Sequence, residues 1–556
     1  MKRQALLTFI VLFFIISGGI ICYFQKQKEV QNRVEKVAKL VFENIVVKDY
    51  GKAIVEENEI YIPVELIRNY IDSDLELSDD KKRVYINISD KNLELEDKSL
   101  TKFVVENGVK INLLTKIEDN IVYIPGKLTS KIFNIDINYI ETTKVVTVDR
   151  FTEEIKFGKI KEDTVLKLKN NKFSFTIDKL FKNEKVRVFK EYKDWYEVRN
   201  KVGHLGFVQR KYIDEFTKKI SFNNKLNTKR EDFDKSKKIN ITWKYVYERT
   251  PDIKNEDKID GLDVVSPTWF KVSKNGVVIN NADINYVKEA HKKGYKIWGV
   301  VNNGFDSNIT TNILNNEKLK NKVIAQIAFY ASLYDLDGIN IDFENIYYED
   351  KSAFVKFVED LTRILKKQNL IVSIDITVPG GSKRWSKVYD REKLAKIVDY
   401  VALMAYDEHW ATSPKSGSVA SIGWVERGIV KTLESVPKEK LLLGVPFYTR
   451  IWKETVDENG KIKVTSKAIP IKNVKKIIEE NDAVVVWDSK AGQYFATYKK
   501  DSIVYKIWIE DAESIKLKLK LAHKYGLKGI ASWRKGYEYE EIWEVIKMIK
   551  DDKKLL

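Results

Sequence analysis

From Ile239 onward the chain repeats one pattern: a short apolar run, an amphipathic stretch of helical period, then another apolar run. Such alternation signals parallel strands joined by helices, because a parallel pair cannot be closed by a tight turn. Eight apolar runs can be counted, at 239–243, 262–266, 296–301, 338–343, 370–377, 398–404, 441–447 and 529–533. Eight βα units close into an α/β barrel of the TIM (β/α)8 type, whose functional residues gather at the C-terminal ends of the strands. The interval between the last two runs is the longest and contains three strand-like stretches of its own. An inserted α+β subdomain is therefore expected at about 453–510.

The fourth run reads Asp337-Gly338-Ile339-Asn340-Ile341-Asp342-Phe343-Glu344. Period-2 alternation sends Ile339, Ile341 and Phe343 to one face and Asn340, Asp342 and Glu344 to the other, with about 7 Å between alternate Cα atoms. Carboxyl groups on a buried strand are costly unless they are paired or do chemistry. A solvated acidic face on an edge strand is the bland alternative. The ends of later runs argue for chemistry: Met404-Ala405-Tyr406-Asp407 closes the sixth, Tyr448 and Arg450 follow the seventh, and Trp533 ends the eighth.

The D-G-x-x-x-D-x-E run and the M-x-Y-D run resemble the signatures of glycoside hydrolase family 18, which includes chitinases and endo-N-acetylglucosaminidases. The resemblance implies a retaining mechanism in which the substrate's own N-acetyl group is the nucleophile. It also implies roles. Glu344 is the expected general acid, Asp342 holds and polarises the acetamido group, and Tyr406 donates a hydrogen bond to the acetamido oxygen. Asp407 helps to position the sugar, Trp533 forms the apolar floor, and Tyr448 and Arg450 are candidate cleft contacts, although Arg450 serves a structural ion pair equally well.

Asn340 stands where many chitinases have Asp, so an amide replaces a charge beneath Asp342. Asn at this position is compatible with the branch resembling spore-cortex and peptidoglycan glucosaminidases. That branch is also suggested by Ser266-Pro267-Thr268-Trp269-Phe270, by Tyr406-Asp407-Glu408-His409 and by Trp508-Ile509-Glu510-Asp511. The expected substrate is an N-acetylglucosamine-containing polysaccharide, peptidoglycan foremost. A chitinase, an endoglycosidase of N-glycans and a non-catalytic wall-binding protein are the alternatives. No cofactor and no metal are expected, since the four His residues are scattered and none has ligand spacing.

The 556 residues, 44% hydrophobic and 12% aromatic, exclude a disordered chain and provide for several cores. The net charge of +17 is spread along the sequence without an Arg-rich cluster or zinc-finger spacing, so no nucleic-acid partner is expected. Lys2 and Arg3 precede twenty uncharged residues at 5–24, enough for a helix of about 30 Å. The segment 1–25 thus reads as a cytoplasmic tip and membrane anchor with the remainder outside, a cleaved signal peptide being the alternative. Cys22 alone excludes intramolecular disulfides.

A charged helical stretch is expected at 25–42, followed by an internal repeat. Ile60-Tyr61-Ile62-Pro63 with Leu66 returns 62 positions later as Val122-Tyr123-Ile124-Pro125 with Leu128. The resulting α+β domain, 26–150, resembles the copper amine oxidase N-terminal domain, with no copper expected for want of His or Cys. Short alternating strands at 160–216, around Val186, Trp195, Tyr196 and Phe207, resemble a bacterial SH3-like domain. Residues 217–238 read as a linker and 239–550 as the barrel domain.

Overall fold

In the computed structural model the described residues are 37–88, 94–95, 97–151, 154–219, 225–226, 233–456, 458–501 and 503–550. The expected anchor at 5–24 lies outside them. Among the described residues no helix is long and apolar enough to cross a membrane. The chain divides into two units, Met1–Tyr85 with Leu114–Asn224, and Ile86–Leu113 with Lys225–Leu556.

In the first unit the two copies of the repeat pair with each other. Glu59–Pro63 and Ile121–Pro125 run antiparallel, with Ile62 opposite Ile124. Each copy then enters a helix, Val64–Tyr70 or Gly126–Phe133, with its proline as the residue just before the first turn. The fixed φ of proline is pre-set for that entry. One expectation is corrected here: Val37–Phe42 is a strand, not helix, and it pairs in parallel with Val145–Arg150. Its Ala38, Leu40, Val41 and Phe42 are all buried, and burial in a sheet overrides the local helical tendency of the charged residues before it.

The stretch expected at 160–216 is a seven-stranded antiparallel sheet running from Glu154–Ile160 to Ile213–Lys219. Its core includes Ile160, Val186, Val198 and Val208, together with Tyr196. Trp195 is only partly buried, as alternation along the strand requires.

The second unit contains the barrel. Its strands are β1 Ile239–Lys244, β2 Val264–Pro267, β3 Lys296–Asn302, β4 Gly338–Asp342, β5 Ile371–Thr377, β6 Tyr400–Met404, β7 Leu441–Pro446 and β8 Gly529–Trp533. All neighbours are parallel, and the pairings of β1 with β8 and β2 with β3 close the ring. Ile239, Ile241, Val264, Val300, Ile371, Ala402 and Ala531 belong to the barrel core, and Trp298 stacks on Tyr400 at 5.7 Å. Phe233, in the stretch read as a linker, packs against this core and meets Trp298 edge-on. An apolar ring gains by leaving water, so this residue is packed although its neighbours in sequence are polar.

The insertion also begins earlier than 453. Tyr448–Val456, directly after β7, is a strand of a five-stranded antiparallel sheet with Ile462–Pro470, Val484–Asp488, Gln493–Lys500 and Ile503–Ile509. The early start brings Tyr448 and Arg450 onto an ordered strand.

On β4 the apolar residues face the helices, where Phe343 stacks on Phe354 and Phe357 of the helix Lys351–Lys366. Asp337 lies at the opposite end of the strand from Glu344. It accepts hydrogen bonds from His291 Nε2 at 2.7 Å and from the Ile297 amide at 2.8 Å, so the first carboxylate of the run pins the base of β4 to β3. Gly338 is required by close approach. A Cβ there would sit 2.7 Å from the Ile371 carbonyl oxygen and 2.7 Å from the Trp298 ring. Gly338→Ala is expected to cost about 1–3 kcal/mol by overpacking, read as a lower midpoint in denaturant unfolding.

Candidate active site

Alternation on β4 directs Asn340 and Asp342 into the barrel, and Glu344 follows just past the strand end at the C-terminal mouth. The backbone of Glu344 is held on both sides by one side chain. Asn303, just beyond β3, accepts from the Glu344 amide at 3.1 Å and donates to the Glu344 carbonyl at 2.7 Å. This side-chain clamp takes over where the β3–β4 ladder ends at Asn302 and Asp342, and fixes where the carboxyl group departs from the backbone.

Asn340 is the deepest of the three and is fully committed. Its Oδ1 accepts from Trp243 Nε1 at 2.9 Å, while its Nδ2 donates to Ser373 Oγ at 2.9 Å and to Asp375 Oδ1 at 2.8 Å. An indole N–H can only donate, so the amide has one orientation. Asp342 sits above it, buried, with Oδ1 lacking any hydrogen-bond partner.

The electrostatics follow from this burial. Desolvation pushes Asp342 up to about 7. Glu344 is raised well above the ordinary carboxyl range, first by burial and then by the charges of Asp342 and Asp407. Asp375 is likewise raised, by burial and then by Asp342, against the opposing hydrogen bond from Asn340. Glu344, raised in this way, keeps its proton at neutral pH, which suits acid catalysis.

The other sequence-predicted residues form a second group around the mouth. Tyr406, past β6, lies edge-on to Tyr448 with ring centroids 6.2 Å apart. Asp407 has φ of 60°, and its exposed carboxylate accepts from Tyr448 Oη at 2.6 Å and from Arg450 Nη2 at 3.0 Å. Arg450 therefore makes the ion pair that the sequence left open, and its partner is a residue of this group. Tyr448 and Arg450 share one face of their strand by period 2, which is why both reach Asp407. Trp533 ends β8 and meets Trp243, the indole that holds Asn340, edge-on at 6.0 Å.

Four contributors were not anticipated from the sequence. Trp243, Ser373, Asp375 and Asn303 all touch the polar set of β4. A signal for two of them was present: Ser373 and Asp375 alternate with Val372, Ile374 and Ile376, the same period that exposed Asp342 and Glu344. Asn303 lies in a loop, where no period exists to read. Among the described residues no three His, Cys, Asp or Glu side chains are grouped so as to hold a metal ion.

Comparison with known proteins agrees with this architecture. Residues 229–538 match the family described as Glycosyl hydrolases family 18, and residues 41–148 match the Copper amine oxidase N-terminal domain. The latter span contains no His or Cys, so its donors do not fit copper. The chain is 26% identical over 298 residues to the uncharacterized glycosylase YvbX of Bacillus subtilis (strain 168), covering 51% of this chain and 84% of that protein. It is 24% identical over 282 residues to the cortical fragment-lytic enzyme of the same organism, covering 49% of this chain and 64% of that protein. The latter match spans less than two thirds of the relative. The crystal structure of the spore cortex-lytic enzyme SleL of Bacillus megaterium QM B1551 shares the fold, with a TM-score of 0.50 at 23% identity over 56% of this chain and 73% of that one.

The Trp243–Asn340 bond offers a direct check on this geometry. Trp243→Phe keeps the ring but leaves Asn340 Oδ1 buried without a donor, and is expected to cost about 1–3 kcal/mol in denaturant unfolding.

Proposed function

The chain belongs to glycosyl hydrolase family 18 and is a glycosidase, and from that premise we propose that it cleaves β-1,4 bonds of N-acetylglucosamine-containing glycan, foremost peptidoglycan. The observation that carries this reading is the pair formed by Asp342, buried on the inner face of β4, and Glu344, half-buried just past its end at the mouth of a closed barrel. The similarity to a cortical fragment-lytic enzyme supports a wall glycan over other polymers.

In this reading the proton on Glu344 passes to the glycosidic oxygen as the C1–O bond breaks, and the acetamido oxygen of the same sugar closes onto C1. Asp342, ionised, holds the acetamido N–H and stabilises the positive charge of the ring so formed. Tyr406 steadies the acetamido oxygen. The Glu344 carboxylate then takes a proton from water, whose oxygen attacks C1 and reopens the ring with net retention. Asp407, fixed by Tyr448 and Arg450, orients the sugar, and Trp533 lies beneath it.

The run at 5–24 serves as an anchor or an export signal, and either places the barrel outside the membrane. The seven-stranded sheet after residue 153, with Phe173 97% and Phe175 83% exposed, serves as an SH3-like wall-contact module.

The test is incubation with purified peptidoglycan and separately with chitin, released reducing ends being analysed by mass spectrometry. Muropeptides ending in reducing N-acetylglucosamine are expected, and Glu344→Gln is expected to lower their release at least about 100-fold. Release from chitin alone, or from neither polymer, overturns the wall assignment. The pH dependence has a definite sign. The rate falls as pH drops below about 7, where Asp342 takes up a proton. It falls again at higher pH, where Glu344 loses the proton it must donate, so a bell-shaped kcat/KM profile with a neutral acidic limb is expected.

A further inference from the structure

Strand β5 carries a carboxyl group that the mechanism above does not use. In the parallel register of β4 and β5, Asn340 stands opposite Ser373 and Ile341 opposite Ile374. Asp342 and Asp375 are the next residues on each strand, and alternation turns both into the barrel, with about 4.8 Å between the strands. Asp375 is 2% exposed. Its Oδ1 accepts the Asn340 N–H, and the indole of Trp243 prevents that amide from reversing. A buried hydrogen-bond donor is thus aimed permanently at Asp375, while the neighbouring Asp342 has an Oδ1 with no donor at all.

The two carboxyl groups are therefore unequal. The fixed N–H favours the anion on Asp375, and the bare oxygen of Asp342 favours its neutral form. Two buried carboxyls on adjacent strands repel when both are ionised, so the protons of one depend on those of the other. The titratable groups whose charges bear on this pair are Glu344 on the β4 side, Tyr389 from the segment after β5, and Tyr406 after β6.

Resting on the glycosidase reading of this site, we propose that Asp375 is a positioning residue for Asp342: it anchors the Asn340 amide beneath Asp342 and shares the buried negative charge of the β4–β5 face with it. Asp375 stands level with Asp342 on the neighbouring strand, with Asn340 one step deeper, and acts through Asp342. Its charge makes ionisation of both Asp342 and Glu344 harder, and so sets the pH range in which one is charged while the other keeps its proton. The carboxyl group absent at position 340 is in this way furnished from the adjacent strand.

The decisive variant is Asp375→Asn, in which an amide oxygen still accepts from Asn340 and only the charge is lost. Both limbs of the pH profile of kcat/KM on peptidoglycan are expected to move to lower pH by roughly one unit. The double variant Asn340→Asp with Asp375→Asn returns a carboxyl group to the pair and is expected to move the limbs back toward the wild-type positions. A profile for Asp375→Asn that superimposes on wild type in pH, whatever its height, overturns the proposal and leaves Asp375 a purely structural acceptor. A double variant that stays with Asp375→Asn overturns it as well.

Thermal unfolding accompanies each variant. If Asp375→Asn does not fold, aspartate side-chain carbon NMR of the wild-type protein decides, with Asp342→Asn assigning its signal. Asp342 is expected to titrate in two linked steps, and a single independent step overturns the proposal. The same titration separates this proposal from the functional reading: if the wild type releases nothing from any N-acetylglucosamine glycan, the reading fails while the linkage of Asp342 and Asp375 is still measured.

Discussion

Carboxyl groups inside a closed barrel face a severe desolvation cost, and the site of this protein is arranged around meeting it. Three of them, Asp342, Glu344 and Asp375, lie on or just beyond two adjacent strands. Asn340 makes their coexistence workable. Its amide, held by Trp243, contributes hydrogen bonds to Ser373 and Asp375 without adding a fourth ionisable group. A carboxylate at that position would lie beneath Asp342 and repel it, whereas an amide satisfies the same neighbours at no Coulombic cost.

Around this centre the architecture divides support from reactivity. At the base of the barrel Asp337, His291 and Lys296 pin β4 to β3, and Phe233 fills the space below Trp298 and Tyr400. At the mouth Asn303 clamps the backbone of Glu344, and the first strand of the insertion delivers Tyr448 and Arg450 to Asp407. The insertion is itself tied to the barrel helices by a buried network in which Glu510 accepts from Lys518, Ser514 and Gln493. Breaking such a network by removing one partner leaves an unpaired buried charge, which accounts for how fully each member is bonded.

The first unit shows a comparable economy on a smaller scale. Its repeat builds one sheet from two copies of the same strand, paired antiparallel at Ile62 and Ile124. Within the same unit Asp149 is buried between Arg187 and Arg199, so the strand Val145–Arg150 and the sheet that follows it share a fully paired ionic contact.

Much of this was legible in the order of residues alone. Period-2 alternation at 338–344 and the spacing of eight apolar runs determined the barrel and the inward set Asn340, Asp342 and Glu344, because strand periodicity is a local property of the chain. The ends of β6, β7 and β8 likewise announced Tyr406, Asp407, Tyr448, Arg450 and Trp533 as neighbours at one mouth. What only the tertiary structure decided were relations across strands and loops: that Asp375 lies beside Asp342, that Trp243 orients Asn340, that Asn303 holds Glu344, and that Val37–Phe42 is a strand because Val145–Arg150 is its partner. The physical reason is the same in each case. A hydrogen bond or strand pairing between residues far apart in sequence leaves no period to read, and register between β4 and β5 exists only once the barrel has closed.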